Sequence, residues 1–524
     1  AIHLPSEAAE AILRLATGAT PPQPQHAAPG NDPFAHPDAQ RRFRLMGDAA
    51  ELERALNYPW EKWMVFLHPA QRQWVEREYA GPARVSGSAG TGKTIVALHR
   101  AVFLARGNPD ARVLLTTFSD TLANALRTNL TRLISNEPRL GERVEVHAID
   151  AIGRRLYELN IGRLKLASRE EVSQLIAEAA ATVEGHKFSR RFLLTEWEQI
   201  VDAWQLPTWD AYRDVSRLGR KTRLPEKQRW VLWSIFERVL SGLKNRNLIT
   251  TAGMFAMLAA RLEVIKSPFD FMVVDEAQDL NPAQLRFLAA MGGRRRNSLF
   301  FAGDLGQRIF QQAFSWKSLG VDIRGRSRTL NVNYRTSHQI RTQADRLLAP
   351  EVSDVDGNTE ERLSTVSIFN GPEPEIKVLD TPKAEIEAVA LWLSRRTKDG
   401  MQPHEMAIFV RSPAQLDKAK GAVEKAGFRF RILDEHVETA SGHVSISTMH
   451  LAKGLEFRAI AVMACDDEVI PSQERIETVA DDTDLKEIYD TERHLLYVAC
   501  TRARDYLLVT SGNTPSEFLD DLRA

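Results

Sequence analysis

The fold of this chain is decided by the stretch Val85-Ser86-Gly87-Ser88-Ala89-Gly90-Thr91-Gly92-Lys93-Thr94, which contains the pattern G-x-x-x-x-G-K-T. The glycines let the backbone turn tightly, so that successive N–H groups point at phosphate oxygens. A helix predicted to follow adds the positive end of its dipole. Lys93 is expected to neutralise β- and γ-phosphates, and the Thr94 hydroxyl to bind Mg²⁺. The sequence therefore predicts a nucleotide site at Gly87, Ser88, Ala89, Gly90, Thr91, Gly92, Lys93 and Thr94.

A metal-holding carboxylate is expected at the end of a second strand. The apolar run Phe271–Val274 reads as a buried strand, and Asp275 and Glu276 follow it directly. Ligands of open α/β sheets bind at the carboxyl ends of the strands. Asp275 is therefore predicted to hold Mg²⁺, and Glu276 to orient and polarise an attacking water. Alone, these acids would read equally well as helix-start caps, but the phosphate loop favours the catalytic interpretation.

Short apolar runs alternate with helical stretches along most of the chain. This alternation predicts parallel sheets with crossover helices. The predicted strands cover residues 113–118, 271–274, 298–302, 406–410, 444–448, 459–463 and 506–510. Residues 127–267 are mostly helical in pattern, and five tryptophans there are predicted core anchors: Trp197, Trp204, Trp209, Trp230 and Trp233.

The composition is that of an ordinary globular protein. The 524 residues suggest three or four domains, and 43% hydrophobic with 26% charged residues excludes collagenous or wholly disordered chains. Lysine plus arginine equals aspartate plus glutamate at 69 each, which leaves room for a locally basic groove. Cys465 and Cys500 are too few for a disulfide framework, zinc cluster or iron–sulfur site. With neither a membrane span nor a secretory leader visible, we expect a cytoplasmic protein without membrane contacts.

Six further segments accompany the phosphate loop. They are Leu67–Arg72 (LHPAQR), Asp275–Asp279 (DEAQD), Gly303–Phe310 (GDLGQRIF), Leu330–Arg335 (LNVNYR), Thr448–Phe457 (TMHLAKGLEF) and Tyr497–Ala503 (YVACTRA). In this order they resemble the motifs of superfamily 1 DNA helicases of the UvrD/Rep/PcrA type. The resemblance spans residues 67–503 and implies that the cofactors are ATP and Mg²⁺.

The resemblance also implies roles around the nucleotide. Gln71 would read the adenine, Tyr334 would stack on it, and Glu456 would contact the sugar. Three more residues would sense or reach the γ-phosphate: Gln307, Arg335 and Arg502. The charge that spreads over the γ-phosphoryl oxygens during hydrolysis is what such cations stabilise.

The chain departs from the family pattern at three positions. His68 stands where the family has Asn, and Phe310 where it has Tyr. Ile95 stands where close relatives often carry an Arg that stacks on the adenine. Tyr334 would then have an apolar partner, which leaves strict ATP preference open.

By the same resemblance, five side chains would face single-stranded DNA: Phe118, His147, Phe310, Trp316 and His450. Aromatic stacking grips bases with little regard to sequence, although an aromatic residue after a strand also suits a core. Residues 217–229 hold six Lys or Arg. They form either a solvated face or a contact to duplex or backbone.

The resemblance implies an α/β fold with two RecA-like P-loop NTPase domains in tandem. The first would comprise residues 61–125 and 266–330, with a mostly helical accessory insertion at 126–265. The second would comprise 331–524 without a large insertion, because only about ten residues separate Phe428–Leu433 from Val444. Residues 1–60 would hold an N-terminal helix (6–17), a linker (20–37) and a lead-in.

The implied function is an ATP-dependent helicase or translocase that moves 3′-to-5′ on single-stranded DNA or a tailed duplex. RNA stays open as the track. Repair, recombination and phage defence are the expected settings, and a nuclease is one expected protein partner. The alternative is a nucleotide-gated nucleic-acid clamp or assembly factor with little autonomous unwinding.

Overall fold

The computed structural model describes residues 67–135, 137–184, 186–215, 224–293, 295–304, 314–349, 351–353, 356–357, 359–361, 365–368, 370–434, 440–477 and 482–523. The predicted N-terminal helix and linker lie outside these residues. So do Gln307 and Phe310 and most of the basic segment 217–229.

The first sheet has six parallel strands in the order β3-β2-β4-β5-β1-β6. They are β1 (Ala83–Ser86), β2 (Val113–Thr117), β3 (Val144–Ala148), β4 (Phe271–Val274), β5 (Leu299–Ala302) and β6 (Ser327–Thr329). The central strands are buried on both faces, which explains their continuous apolar runs. The predicted strands of the first half are confirmed.

Eleven helices accompany this sheet within the described residues. They are α1 (Pro69–Glu76), α2 (Lys93–Gly107), α3 (Asp120–Leu133), α4 (Pro138–Gly141), α5 (Ile149–Asn160), α6 (Arg169–Ala181), α7 (Arg190–Glu196), α8 (Trp209–Asp214), α9 (Glu226–Asn245), α10 (Thr251–Leu262) and α11 (Pro282–Gly292). Strand alternation divides the apolar side chains between two layers. Leu115 and Val273 pack with α2 on one face, and Leu114 and Met272 pack with α10 and α11 on the other.

A separate helical core is formed by residues 172–248. Trp197 and Trp233 are buried there as predicted, and Trp204 and Trp209 are partly buried. The prediction for Trp230 is wrong, because its side chain is 56% exposed, with the ring of Trp209 edge-on against it. The domain boundaries stay a prediction, but β3 lies inside the range expected for the insertion and pairs with β2 of the first sheet.

The second sheet also has six parallel strands, in the order β11-β16-β15-β12-β14-β13. Before it come β7 (Val332–Asn333), which pairs with β10 (Val366–Ser367), and the hairpin β8 (Glu351–Ser353) and β9 (Thr359–Glu361). The sheet strands are β11 (Glu375–Val378), β12 (Met406–Val410), β13 (Arg429–Ile432), β14 (His443–Thr448), β15 (Phe457–Met463) and β16 (Ala503–Ser511). The predicted strands of the second half are therefore confirmed.

Six helices belong to this half: α12 (His338–Asp345), α13 (Pro382–Lys398), α14 (Leu416–Lys425), α15 (Gln473–Ile476), α16 (Asp482–Cys500) and α17 (Phe518–Arg523). Cys465 and Cys500 are fully buried in its core and unbridged. Only residues 433–442 connect β13 to β14, too few for a further domain. Among the described helices, none is both long and apolar enough to cross a bilayer.

Candidate nucleotide site

The phosphate loop connects β1 to α2 at the carboxyl edge of the first sheet. Gly92 caps α2 in the left-handed region with φ 81°, a conformation that a side chain would strain. Lys93 turns back into the loop, where its Nζ donates to Gly87 O at 2.7 Å and Ser88 O at 2.9 Å. Asp304, at the end of β5, lies 3.7 Å from the same Nζ. The loop thus surrounds a cation with its own carbonyls, and a phosphate group can compete for that cation.

The two acids predicted after β4 lie at the same edge, separated from the phosphate loop by β5 alone. Burial and the charge of Glu276 raise the pKa of Asp275 to about 7, although Thr94 donates to its carboxylate. Glu276 occupies the left-handed region with φ 54°. Burial would raise the pKa of Glu276, but Lys453 and Lys93 outweigh it and hold that pKa at about 2.

The residues present fit a Mg²⁺ ion. Thr94 and Asp275 offer the oxygen donors that this ion prefers. Because burial and then the charge of Glu276 raise the pKa of Asp275, a bound cation would stabilise the ionised form of this carboxylate. Asp275 and Thr94 would hold the ion.

Lys453 brings a cation from the second half of the chain to these acids. Its buried ammonium forms an ion pair with Asp279 and lies 3.4 Å from Glu276. Gln278 braces the arrangement, since its Nε2 donates to Glu276 at 2.6 Å and its Oε1 accepts from Asp304 N at 3.0 Å. The sequence reasoning missed Lys453 and Asp304, although the K-G-L-E-F and G-D segments contain them.

The two arginines predicted at the γ-phosphate also lie in this region. Arg335 forms an ion pair with Glu456, the residue predicted to contact the sugar. Arg502 is buried and donates to Val498 O at 3.1 Å. Burial and the like charge of Arg335 lower the pKa of Arg502 to about 10. Its positive charge contributes to the low pKa of Glu276, which places it beside the first sheet's acids.

At the other end of the loop lie the residues predicted to meet the base. Gln71 is 3% exposed, and its Nε2 donates to Thr91 O at 2.9 Å while its Oε1 accepts from His68 N at 3.1 Å. The rings of His68 and Tyr334 are 4.7 Å apart and inclined by 37°. Gln71 therefore supports the phosphate loop. His68, which stands where the family has Asn, packs against Tyr334, the residue predicted to stack on the adenine.

Comparison with known proteins agrees with this geometry. Residues 67–315 match the UvrD/REP helicase N-terminal domain, and residues 433–514 match the UvrD-like helicase C-terminal domain. The chain belongs to the UvrD-like helicase family. The two parallel sheets are accordingly RecA-like domains in tandem, as predicted.

Individual relatives are distant. The chain is 27% identical over 380 residues to the ATP-dependent DNA helicase UvrD2 of Mycobacterium tuberculosis, covering 67% of this chain and 53% of the relative. It is 26% identical over 518 residues to DNA helicase IV of Escherichia coli, covering 87% and 70%. A solved C-terminal domain of a possible DNA helicase from a Lactobacillus shares 23% identity over 36% of this chain and 93% of its own, with a TM-score of 0.26. This chain thus spans about half the length of UvrD2.

In this UvrD-like chain, three of the residues predicted to contact nucleic acid lie at strand ends. Phe118 follows β2 and is 36% exposed. His147 lies in β3 and is half-buried, with Nε2 3.4 Å from Glu145. His450 follows β14 and its surface is exposed in part. Desolvation of the ring by the protein atoms around it, and then the charges of Arg411 and Arg475, lower its pKa to about 4.

The prediction for Trp316 is corrected by the structure. Its side chain is 4% exposed and packs edge-on against Phe301 at 4.9 Å, within the core of the first sheet. Phe314, two residues earlier, is 6% exposed and lies against Trp204. Because a buried ring cannot present its face to a base, neither residue is a stacking group in this UvrD-like structure.

Proposed function

We propose that this chain hydrolyses ATP with Mg²⁺ and uses the energy to move 3′-to-5′ along single-stranded DNA and unwind tailed duplexes. One observation carries the proposal. Lys93, Asp275 and Glu276 of the first sheet meet Lys453 and Arg502 of the second within one charged cluster. A site divided between two domains ties the state of the nucleotide to their relative positions, which a motor needs and a small-molecule kinase does not.

Each polar group then has a proposed role in hydrolysis. Lys93 leaves the Gly87 and Ser88 carbonyls to bind β- and γ-phosphate oxygens. Bound Mg²⁺ supplies charge neutralisation at the same phosphates. Glu276 stays ionised because of its low pKa, and so can orient a water and hold its proton. Arg335 and Arg502 stabilise the charge on the γ-phosphoryl group, and Gln307 would sense that group.

The base end of the site remains a proposal in the same terms. Tyr334 stacks on the adenine, Gln71 fixes the loop beside it, and Glu456 reaches the sugar once Arg335 is released. Along the sheet edges, Phe118, His147 and His450 contact single-stranded DNA, with Phe310 as a further stacking group. Strand order supports this track, because β2 lies directly beside β4, which Asp275 follows, and β3 lies beside β2.

The cellular setting rests on the family alone. We propose a cytoplasmic protein that acts in DNA repair, recombination or phage defence. A protein partner such as a nuclease would take the place of the further domain for which the β13–β14 connection is too short.

A second candidate is a nucleotide-gated DNA clamp with little autonomous unwinding. The short β13–β14 connection favours it, since residues 433–442 are too few to supply a further domain that would assist unwinding. Such a clamp would bind nucleotide and DNA in a linked manner and turn over slowly.

Unwinding of two matched duplexes tests the proposal, one with a 3′ single-stranded tail and one with a 5′ tail. The motor predicts ATP-dependent unwinding of the 3′-tailed duplex alone, with Lys93→Ala as the inactive control. Unwinding of the 5′-tailed duplex would overturn the polarity. Slow hydrolysis and no unwinding of either, with nucleotide-dependent DNA affinity, would favour the clamp.

A further inference from the structure

The chain passes from the first sheet to the second through residues 330–337, and the two domains hold different parts of this crossing. Tyr334 N donates to Gly90 O of the phosphate loop at 2.9 Å. Three residues later, Ser337 N donates to Arg504 O of β16 at 3.1 Å. The change of attachment therefore falls at Arg335 and Thr336, and one of these is the proposed γ-phosphate arginine.

Asn333 ties the two sides of this crossing together through one buried side chain. It is 0% exposed, and its Nδ2 donates to Ala89 O of the phosphate loop at 2.8 Å. Its Oδ1 accepts from Arg335 N at 2.9 Å and Thr336 N at 3.0 Å. The amide thus uses its donor toward the loop and its acceptor toward the arginine's own backbone.

The fit between Asn333 and the loop is close. Gly90 has φ 81°, and a Cβ there would lie 2.4 Å from Asn333 Oδ1. On the other side, Ala89 packs against the core of the second domain, and Ser88 Oγ donates to Thr365 Oγ1 at 3.3 Å. A shift of the loop on nucleotide binding must therefore move residues 333–335 with it.

We infer that Asn333 is a positioning residue for hydrolysis, which keeps Arg335 in register with the phosphate loop while the second domain moves. Arg335 then follows the nucleotide, although it lies in the second half of the chain, whereas Arg502, bonded to Val498 O, moves with the second domain. The inference deepens the proposed function and rests on it, because a chain without ATP hydrolysis has no arginine to position.

The substitutions Asn333→Ala and Asn333→Asp separate the bond that Asn333 donates to Ala89 O from the bonds that it accepts from Arg335 N and Thr336 N. Alanine removes all of these bonds. Aspartate keeps an acceptor for the Arg335 and Thr336 N–H groups but cannot donate to Ala89 O. Asn331→Ala, two residues away on an exposed position, is the matched control. All are measured for thermal unfolding, for affinity toward a fluorescent ATP analogue with Mg²⁺, and for kcat and KM of DNA-stimulated ATP hydrolysis.

A misplaced arginine should cost rate rather than binding. We expect kcat to fall about 10- to 100-fold in both Asn333 variants, with KM and analogue affinity within about threefold of wild type. Asn331→Ala should match wild type. In an Arg335→Ala background, Asn333→Asp should cause no further loss of kcat, because it acts through that arginine.

Three results would overturn the inference. They are an unchanged kcat in Asn333→Asp, a loss that appears in KM and analogue affinity alone, or a full additional loss in the Arg335→Ala background. If Asn333→Ala fails to fold, Asn333→Asp still decides, since it retains the buried acceptor. Absence of hydrolysis in the wild-type chain would instead reject the proposed function and with it the inference, so the two failures are distinct.

Discussion

The carboxyl edges of the two sheets have the same parallel architecture but differ in how their buried carboxylates are neutralised. At the first, Asp275 and Glu276 lie side by side, and burial, followed by the charge of Glu276, raises the pKa of Asp275. At the second, Arg411 grips buried Glu492 through two bonds of 2.5 and 2.6 Å, and Arg475 adds a third at 2.9 Å. At the first edge, a bound cation would neutralise the carboxylates. At the second edge, Glu492 is already neutralised by arginines of the same domain.

The largest expected effect tests the first edge. Lys93→Ala should lower ATP hydrolysis by about 10³-fold or more, because it removes the cation that meets the phosphates. Its thermal unfolding should stay close to wild type, since Lys93 bonds carbonyls that water can satisfy. Steady-state hydrolysis and calorimetry on the same preparation check both. Persistent hydrolysis, or a large loss of stability, would mean that Lys93 stabilises the fold, as Arg411 and Glu492 do, and does not bind the phosphates.

The opposite pattern is expected at the second edge. Glu492→Ala leaves Arg411 and Arg475 without their shared acid and should cost about 3–5 kcal/mol of unfolding free energy. Urea unfolding followed by far-ultraviolet circular dichroism measures it. Replacing Arg411 and Glu492 together with leucine is the control and should restore most of the stability. A Glu492→Ala protein as stable as wild type would mean that this network does not stabilise the second edge.

Two aromatic residues of the first domain sharpen the contrast between ligand contact and packing. Phe118→Ala should weaken binding of single-stranded DNA by about 1–3 kcal/mol and leave stability nearly unchanged. Trp316→Ala, the control, should cost about 3–5 kcal/mol of stability through the cavity it leaves. Fluorescence anisotropy of a labelled oligonucleotide and urea unfolding measure the two quantities. A loss of affinity only in the tryptophan variant would reverse the assignment.

The smallest effect concerns pH at the second edge. Desolvation of the ring and then the positive charges of Arg411 and Arg475 lower the pKa of His450 to about 4, although the charge of Glu492 acts to raise it. The unfolded chain, with an ordinary histidine pKa near 6.5, then binds more protons between about pH 6.5 and 4. Stability should be fully retained above about pH 6.5 and fall as the pH drops through that window. His450→Gln should lessen the slope of melting temperature against pH, and parallel curves would contradict this.

The nucleotide edge was predictable from sequence because its chemistry is local. The loop at Gly87–Thr94 and the acids after Phe271–Val274 each need only consecutive residues, a strand before them and a turn after them. The alternation of apolar runs also predicted parallel sheets, and the family resemblance implied that two domains share them. The order of the strands was not predicted, and neither was the membership of β3 in the first sheet, since pairing partners leave no local signal.

Contacts between distant residues were beyond that reasoning. Lys453 and Asp279 are 174 residues apart, and Asn333 meets Ala89 across 244 residues. The aromatic residues failed for a related reason. Trp316 was predicted to face DNA and Trp230 to lie in a core, but Trp316 is 4% and Trp230 56% exposed, because burial depends on which neighbouring element covers each ring.

The burial of both cysteines has a practical consequence for fluorescent labelling. Burial raises the pKa of the Cys465 thiol and brings that of Cys500 to about 12, so neither supplies the thiolate that maleimide dyes attack. Cysteines introduced at exposed Leu159 and Ile432, one in each half of the chain, would be the reactive thiols among the described residues. A donor and an acceptor dye on that pair would follow single molecules as nucleotide binds, with the native cysteines left in place.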